Sequence, residues 1–289
     1  INVDPIVGNM RYVPSGEFTQ GSPYTEPCSL WDEEQFDHEL TRDLAVMQTE
    51  ITRQMWADLK AIQQGMPDDP TDVSYGSGMN HPVQNLTWYE AVLFANLLSL
   101  VNGYTPCYYR DSGFTQIVNV TNYISDDHHC NFNANGYRLP SEAEWEYSAR
   151  AGTYDPFICI EPNYSIDTCD EPTCVPGEFP VLESCMVFCA NDSGTSEPVG
   201  SYPANVWNFE DLNGNVWEFC WDWYDWYPSD PETDWVGPET GTERVMRSGA
   251  WTEVAYLCRN ASRYFVEPDS RGHSTGFRLV RTVIYYSKS

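Results

Sequence analysis

The chain opens on an alternating run, Met10 to Gln20 (MRYVPSGEFTQ), that closes on Gly21 and Ser22. Period-two alternation ending in turn residues predicts a strand leading into an opening hairpin. Residues 41–49 (TRDLAVMQT) form a second strand candidate. From Thr52 the pattern changes: RQMWADLKAI places apolar residues at helical spacing behind a threonine suited to cap the first turn. Two further helices carry stronger start signals. Thr87-Trp-Tyr-Glu90 and Ser141-Glu-Ala-Glu144 both have the capping-box spacing, in which a hydroxyl and a carboxylate satisfy each other's orphan amides. The first is expected to run to about Val101, before Gly103, with Val92, Ala95, Leu98 and Leu100 as its apolar stripe; the second runs to about Arg150, before Gly152. Beyond residue 152 periodicity fades and Gly, Pro, Asn, Asp and Cys dominate, which predicts irregular backbone held by disulfides, aromatic packing and metal ions.

With 289 residues, 41% hydrophobic and 15% aromatic, the chain can bury one large core, and no repeat or Ser/Gly/Pro linker divides it. The expected organisation is a tail at 1–7 and a single domain at 8–289. No stretch approaches the roughly 18 apolar residues of a membrane span. The start Ile-Asn-Val-Asp has neither an initiator Met nor a signal sequence, as expected of a processed chain. A net charge of −28 repels phosphate backbones and excludes nucleic acid as a partner. Lys60 and Lys288 are the only lysines; the other cations are arginines, concentrated from Arg138 onward. Their planar forks suit buried carboxylates, although codon bias would give the same composition.

Ten cysteines, at 28, 107, 130, 159, 169, 174, 185, 189, 220 and 258, suit disulfides and an oxidising, extracytoplasmic compartment. Cys169-x4-Cys174 and Cys185-x3-Cys189 lack the spacing and neighbouring His of a zinc site. Ser248 has no His-Asp pattern near it to activate it. His128-His129 beside Asp126-Asp127 reads as an exposed polar loop rather than a metal site. In WDWYDWYPSDPETDW, Asp222, Asp225, Asp230 and Asp234 interleave with Trp and Tyr, a composition that stacks a sugar, binds a cationic peptide, or simply packs as a surface loop.

NGYRLPSEAEWEYSARAG (135–152) resembles the signature of the formylglycine-generating-enzyme, or sulfatase-modifying-factor, family. MRYVPSGEFTQGS, EITRQMW, HPVQNLTWYEAVLFAN, PVGSYPANVWNFEDLNGNVWEFCWDWY and RVMRSGAWTEVAYLCRNASRYFVEPDSRGHSTGFRLVR follow in that family's order, so the resemblance covers roughly residues 8–282. It implies an α+β fold of low regular secondary structure, related to C-type lectin folds and rich in disulfides. It places Asn213, Gly214, Val216 and Glu218 at positions that bind Ca²⁺, with Asn191 and Asp192 loosely matched to a second calcium site. A Gly-containing turn with a carboxylate supplies the oxygen ligands a hard cation needs. The resemblance also implies a Cys107–Cys130 disulfide, whose loop closure would contribute on the order of 3 kcal/mol.

The family's founding activity oxidises a protein cysteine to formylglycine with O₂ and a copper ion held by two cysteines five residues apart. Two thiolates suit Cu(I). Here Cys258 falls at the second position and Glu253 at the first, and Ala250 stands where the enzyme has a serine. A carboxylate is too hard to replace a Cu(I) thiolate, so copper is doubtful. Cys220 is expected near Cys258, as a disulfide partner or a buried thiol rather than a rescuing metal ligand. The iron-dependent sulfoxide synthases of the family need a His-rich domain, which a chain with His only at 38, 81, 128, 129 and 273 lacks. Lectin-like relatives diversified by retroelements carry a variable surface in the region matching 252–275. The expectation is therefore a calcium-stabilised, non-catalytic binding or assembly module using Thr252, Glu253, Tyr256, Tyr264, Phe265 and His273. Its partner would be a protein, peptide or carbohydrate, or the other subunits of a surface assembly. The alternative is a copper oxidase with Cys258 as its catalytic thiol.

Overall fold

The computed structural model describes residue 6 and residues 8–125, 127–161, 164–165 and 174–285. Strands β1 (Met10–Val13), β2 (Gly16–Gln20), β3 (Phe36–Leu40) and β4 (Leu44–Met47) precede helices α1 (Arg53–Ile62) and α2 (Trp88–Val101). The short pair β5 (Tyr108–Tyr109) and β6 (His129–Cys130) leads to α3 (Glu142–Arg150) and a single turn, α4 (Pro180–Glu183). Strands β7 (Trp217–Trp223), β8 (Glu232–Thr233), β9 (Arg244–Arg247), β10 (Tyr264–Val266), β11 (Thr275–Gly276) and β12 (Val280–Thr282) complete the chain.

The first alternating run does not make a hairpin. β1 pairs antiparallel with β4 in the sheet β1-β4-β12, whereas β2 pairs with β3 in the sheet β2-β3-β8. Pro14 sits at the break, where its missing amide hydrogen ends the ladder and frees the chain to change sheets. The third sheet, β10-β9-β7-β11, lines a cleft with Trp217, Met246, Tyr264 and Thr275.

Each predicted helix starts at its predicted cap. Thr87 accepts from the Glu90 amide while Glu90 Oε2 accepts from the Thr87 amide at 2.8 Å; Ser141 and Glu144 repeat the exchange. Past α3, Ala151 and Gly152 take φ of 47° and 84°, the left-handed conformation that stops a helix. α2 is buried along nearly its whole length and lies against α1, with the Trp56 and Phe94 rings stacked 5.3 Å apart. That burial makes α2 the axis of the main core rather than a surface helix with one apolar stripe.

Between α3 and β7 regular structure is sparse, and disulfides Cys159–Cys185 and Cys174–Cys189 tie the segment together. Cys28 is also disulfide-bonded, and Cys169 lies outside the described residues. Loop closure over the 15-residue separation of Cys174 and Cys189 is worth about 3 kcal/mol. Reduction should therefore lower the melting temperature by several degrees in a thermal scan, and Cys174→Ala with Cys189→Ala should reproduce part of the loss.

Most of the arginines from 138 onward pair with buried glutamates. Arg138 holds Glu144, Arg150 and Arg247 share Glu146, Arg247 and Arg263 share Glu142, Arg259 holds Glu26 and Glu33, and Arg278 holds Glu218. These bidentate forks fix loops that have no ladder of their own.

Candidate functional site

A cleft of about 220 Å³ opens where β7, β10 and β11 meet the turn 250–253. Trp217 begins β7 and is set by its amide, which donates to the Ser274 carbonyl at 2.8 Å. Its indole Nε1 reaches Glu253 Oε1 at 3.3 Å, and Thr252 Oγ1 donates to the same oxygen at 3.1 Å. The Glu253 amide closes a turn on the Ala250 carbonyl, and its own carbonyl accepts from the amide of disulfide-bonded Cys189 at 2.9 Å. The carboxylate is thus held by two donors and a cross-linked backbone. Tyr264 stacks on Trp217 with ring centroids 5.2 Å apart and stays 46% exposed, so an aromatic face is offered to solvent beside a fixed negative charge. Arg271 borders the cleft and is turned to Glu90 Oε1 at 2.7 Å.

Of the six residues expected to recognise a ligand, Glu253 and Tyr264 line this cleft and Thr252 supports it through Glu253. His273 points to another face, stacked on Tyr75 at 4.2 Å and near Trp251. Phe265, the neighbour of Tyr264 on β10, does not line the cleft and meets Tyr224 with ring centroids 4.0 Å apart and planes inclined at 32°. Tyr256 lies on the short 3₁₀ turn Ala255–Cys258, where its carbonyl accepts from Arg259 Nε. Trp217 and Arg271 were missed by sequence reasoning, since a Trp in an aromatic run reads as core.

The Cys258 thiol is fully buried beneath the same turn, among Phe157, Phe179 and Leu182. A Cβ on Gly249 would lie 2.5 Å from its sulfur, so the glycine makes room for the thiol. Burial, reinforced by the Glu253 charge, pushes this thiol well above the ordinary cysteine range and disfavours the thiolate that a soft metal or a nucleophilic step requires. Cys220 does not approach it: that side chain packs in a different cluster, with Trp145, Val245 and Val280, and both thiols are free. Of the two alternatives expected for this pair, the structure has buried free thiols and not the disulfide. Cys107 and Cys130 are free as well. The register pairs Cys130 with Tyr108, so the Cys107 carbonyl meets the Asn131 amide while its thiol donates to the Gly136 carbonyl at 3.3 Å.

Among the described residues, no group of three or more His, Cys, Asp or Glu side chains is arranged to hold a metal ion. The Glu218 oxygens, expected to bind calcium, take both arms of Arg278 at 2.6 Å and the Trp145 indole at 2.8 Å. Asn213 Oδ1 accepts from Ile158, and its amide donates to the Cys258 carbonyl and Asn260. The Gly214 amide donates to the Ser248 carbonyl, and the Gly214 carbonyl accepts from Ser248 Oγ. Val216 is core, and Asn191 closes a turn on Phe188. Glu50 and Asp211 are among the buried carboxylates that make no ion pair with a described residue. Glu50 Oε2 is buried with no partner; burial, then the charges of Asp211 and Glu218, push its carboxyl well up, and burial lifts that of Asp211 to about 6. The Asn213 and Glu218 oxygens are thus taken by protein donors, whereas Glu50 Oε2 has none.

Residues 4–283 match the sulfatase-modifying factor enzyme 1-like domain. The chain belongs to that family. Members similar to it include the chaperone protein LppX of Paenibacillus barcinonensis, 27% identical over 83% of this chain and 80% of its own length. The formylglycine-generating enzyme of Thermomonospora curvata is 36% identical over 77% of this chain and 62% of its own. The chain also spans 24% of the serine/threonine-protein kinase Pkn1 of Chlamydia trachomatis, at 32% identity. Among solved structures, Treponema denticola variable protein 1 superposes with a TM-score of 0.76 at 25% identity, covering 94% of each chain. PvdO from Pseudomonas aeruginosa shares the fold with a TM-score of 0.71 at 24% identity, over 98% of this chain and 97% of its own. Sulfatase-modifying-factor folds thus set the expected architecture, and no helix among the described residues is long and apolar enough to cross a membrane.

Proposed function

We propose that this chain is a non-catalytic recognition module of the sulfatase-modifying factor family, working outside the cytoplasm. Its Trp217–Glu253–Tyr264 cleft would hold a segment of a protein partner. The observation that carries this reading is Cys258: its thiol is sealed under Gly249, no other free thiol among the described residues packs in its cluster, and the residue facing the cleft is a carboxylate. An exposed aromatic beside a preorganised charge is the chemistry of a recognition hot spot. A relative named as a chaperone supports a protein partner, and the disulfides support an oxidising compartment. The oxidase reading draws on 36% identity to a formylglycine-generating enzyme. A cysteine peptide incubated with the chain, Cu(I) and O₂ should yield no aldehyde by mass spectrometry. Aldehyde that disappears in Cys258→Ser would overturn the proposal. A displayed-peptide selection should return sequences that lose binding to Trp217→Ala and Tyr264→Ala.

Calcium is part of the proposal, with Glu50 and Asp211 as its carboxylate ligands. An ion bound only by the folded state stabilises it by mass action, roughly 2.7 kcal/mol at a hundredfold excess over Kd. Calcium in the millimolar range should raise the melting temperature of wild type and leave Glu50→Gln unmoved. An unchanged melting temperature in wild type would remove calcium from the account.

A further inference from the structure

Residues 22–35 form no helix or strand, yet the loop is tightly anchored. Arg259, buried beneath it, donates to Glu26 at 2.6 Å, to both oxygens of Glu33, and to the Cys28 carbonyl at 2.6 Å. Arg263 donates to the Asp32 carbonyl at 2.9 Å, and Cys28 is disulfide-bonded. The loop therefore holds its side chains in place, and what it holds outward is aromatic. Tyr24 is 90% exposed and Trp31 64% exposed. Trp31 meets Trp226, itself 60% exposed, with ring centroids 4.5 Å apart and planes inclined at 52°. Beside Trp31 lies a concavity of about 480 Å³, lined also by Tyr24, Glu34 and Gln35.

The run that supplies Trp226 shows what its rings accept. Arg244 lies over Trp223 at 3.4 Å and Trp221 at 4.9 Å; Arg263 lies over Tyr227 at 3.9 Å and Tyr224 at 4.8 Å. Among the rings of residues 221–227, Trp226 is the one with no guanidinium over it, and it faces solvent against Trp31. Glu34 borders the concavity without an ion pair among the described residues, in a chain of net charge −28. Ring faces carry negative potential, so two inclined indoles beside a carboxylate attract a cation.

We propose that Trp31, Trp226, Tyr24 and Glu34 form a binding site for an arginine- or lysine-bearing peptide segment. A guanidinium or ammonium group lies against the indole faces and pairs with Glu34. The inclined rings suit a cation on one face better than the flat stacking of a sugar ring, and a neutral sugar would leave the charge unused. The site shares no lining residue with the Trp217–Glu253–Tyr264 cleft, so the two readings stand or fall separately.

The test is calorimetric titration of the full chain with a short acetylated peptide of alternating glycine and arginine. Salt of about 150 mM screens the diffuse charge beyond roughly 8 Å. Matching glycine–glutamate peptide and cellohexaose serve as comparisons. The arginine peptide is expected to bind, and the charge-neutral changes Trp31→Ala and Trp226→Ala should each weaken it about fivefold. Glu34→Gln should weaken it as well, while Tyr154→Ala, an exposed ring elsewhere, leaves it unchanged. All four positions are exposed, and circular dichroism verifies that the variants fold. Arginine-peptide binding indifferent to both tryptophan changes, absence of binding, or cellohexaose binding that the tryptophan changes abolish would overturn the proposal.

Discussion

Replacing Glu142 by leucine should lower the unfolding free energy by about 3–5 kcal/mol, the usual cost of removing one member of a buried ion pair. Glu142 begins α3, and its carboxylate takes Arg247 at 2.7 Å, Arg263 at 2.6 and 2.8 Å, and the Tyr227 hydroxyl at 3.0 Å. Glu142, Arg247 and Arg263 lie out of water and Tyr227 partly so; leucine would leave Arg263 with no carboxylate and Arg247 with Glu146 alone. Urea unfolding should show the loss as a lower midpoint with an unchanged slope. A midpoint within experimental error of wild type would mean that solvent reaches the network.

The same carboxylate predicts an acid limb. Burial by itself would raise the Glu142 carboxyl, but the Arg263 and Arg247 guanidiniums outweigh it and hold it below the ordinary range. A depressed folded-state value means the unfolded chain binds the proton more readily. Stability is therefore full above the ordinary glutamate pKa of about 4.3 and falls as pH drops through the folded-state value. Glu142→Gln should flatten this limb.

Gly214→Ala should cost about 3 kcal/mol or more. Gly214 has φ of 83°, and a Cβ there would overlap the Val187 carbonyl oxygen, a backbone atom that cannot swing aside. The surrounding turn is tied on both sides, since the Gly214 amide donates to Ser248 at 2.7 Å and the Asn215 amide to Val187 at 3.1 Å. Relief would require moving the loop that carries Cys185 and Cys189. Gly103→Ala is the control: its φ is also positive, but nothing lies within 4 Å of the new atom, so its loss should be the smaller.

The helices were legible because their signals are local. Thr52, Thr87 and Ser141 each cap the helix that follows them within three residues, which a sequence displays directly. The family signature was legible for a different reason: NGYRLPSEAEWEYSARAG places Arg138, Glu142, Glu144, Glu146 and Arg150 in the buried ion network, so the fold requires those residues together. Strand pairing was not legible across Pro14, because which sheet a strand joins depends on partners far along the chain. The expected Cys220–Cys258 proximity failed similarly, for chain proximity of two blocks does not say which face each cysteine turns to. Glu253 and Tyr264 were found from their segment, yet Trp217 was hidden among core tryptophans, and Glu50 and Asp211 lie far apart in sequence.

The claim that Cys258 does not serve a copper centre is tested most directly by anaerobic Cu(I) titration of the folded protein against a competing chelator, with alkylation of Cys258 followed in parallel. The account predicts no stoichiometric copper, and a Cys258 that alkylates only after denaturation. One copper per chain, lost in Cys258→Ser, would contradict it and return the chain to the oxidases of its family.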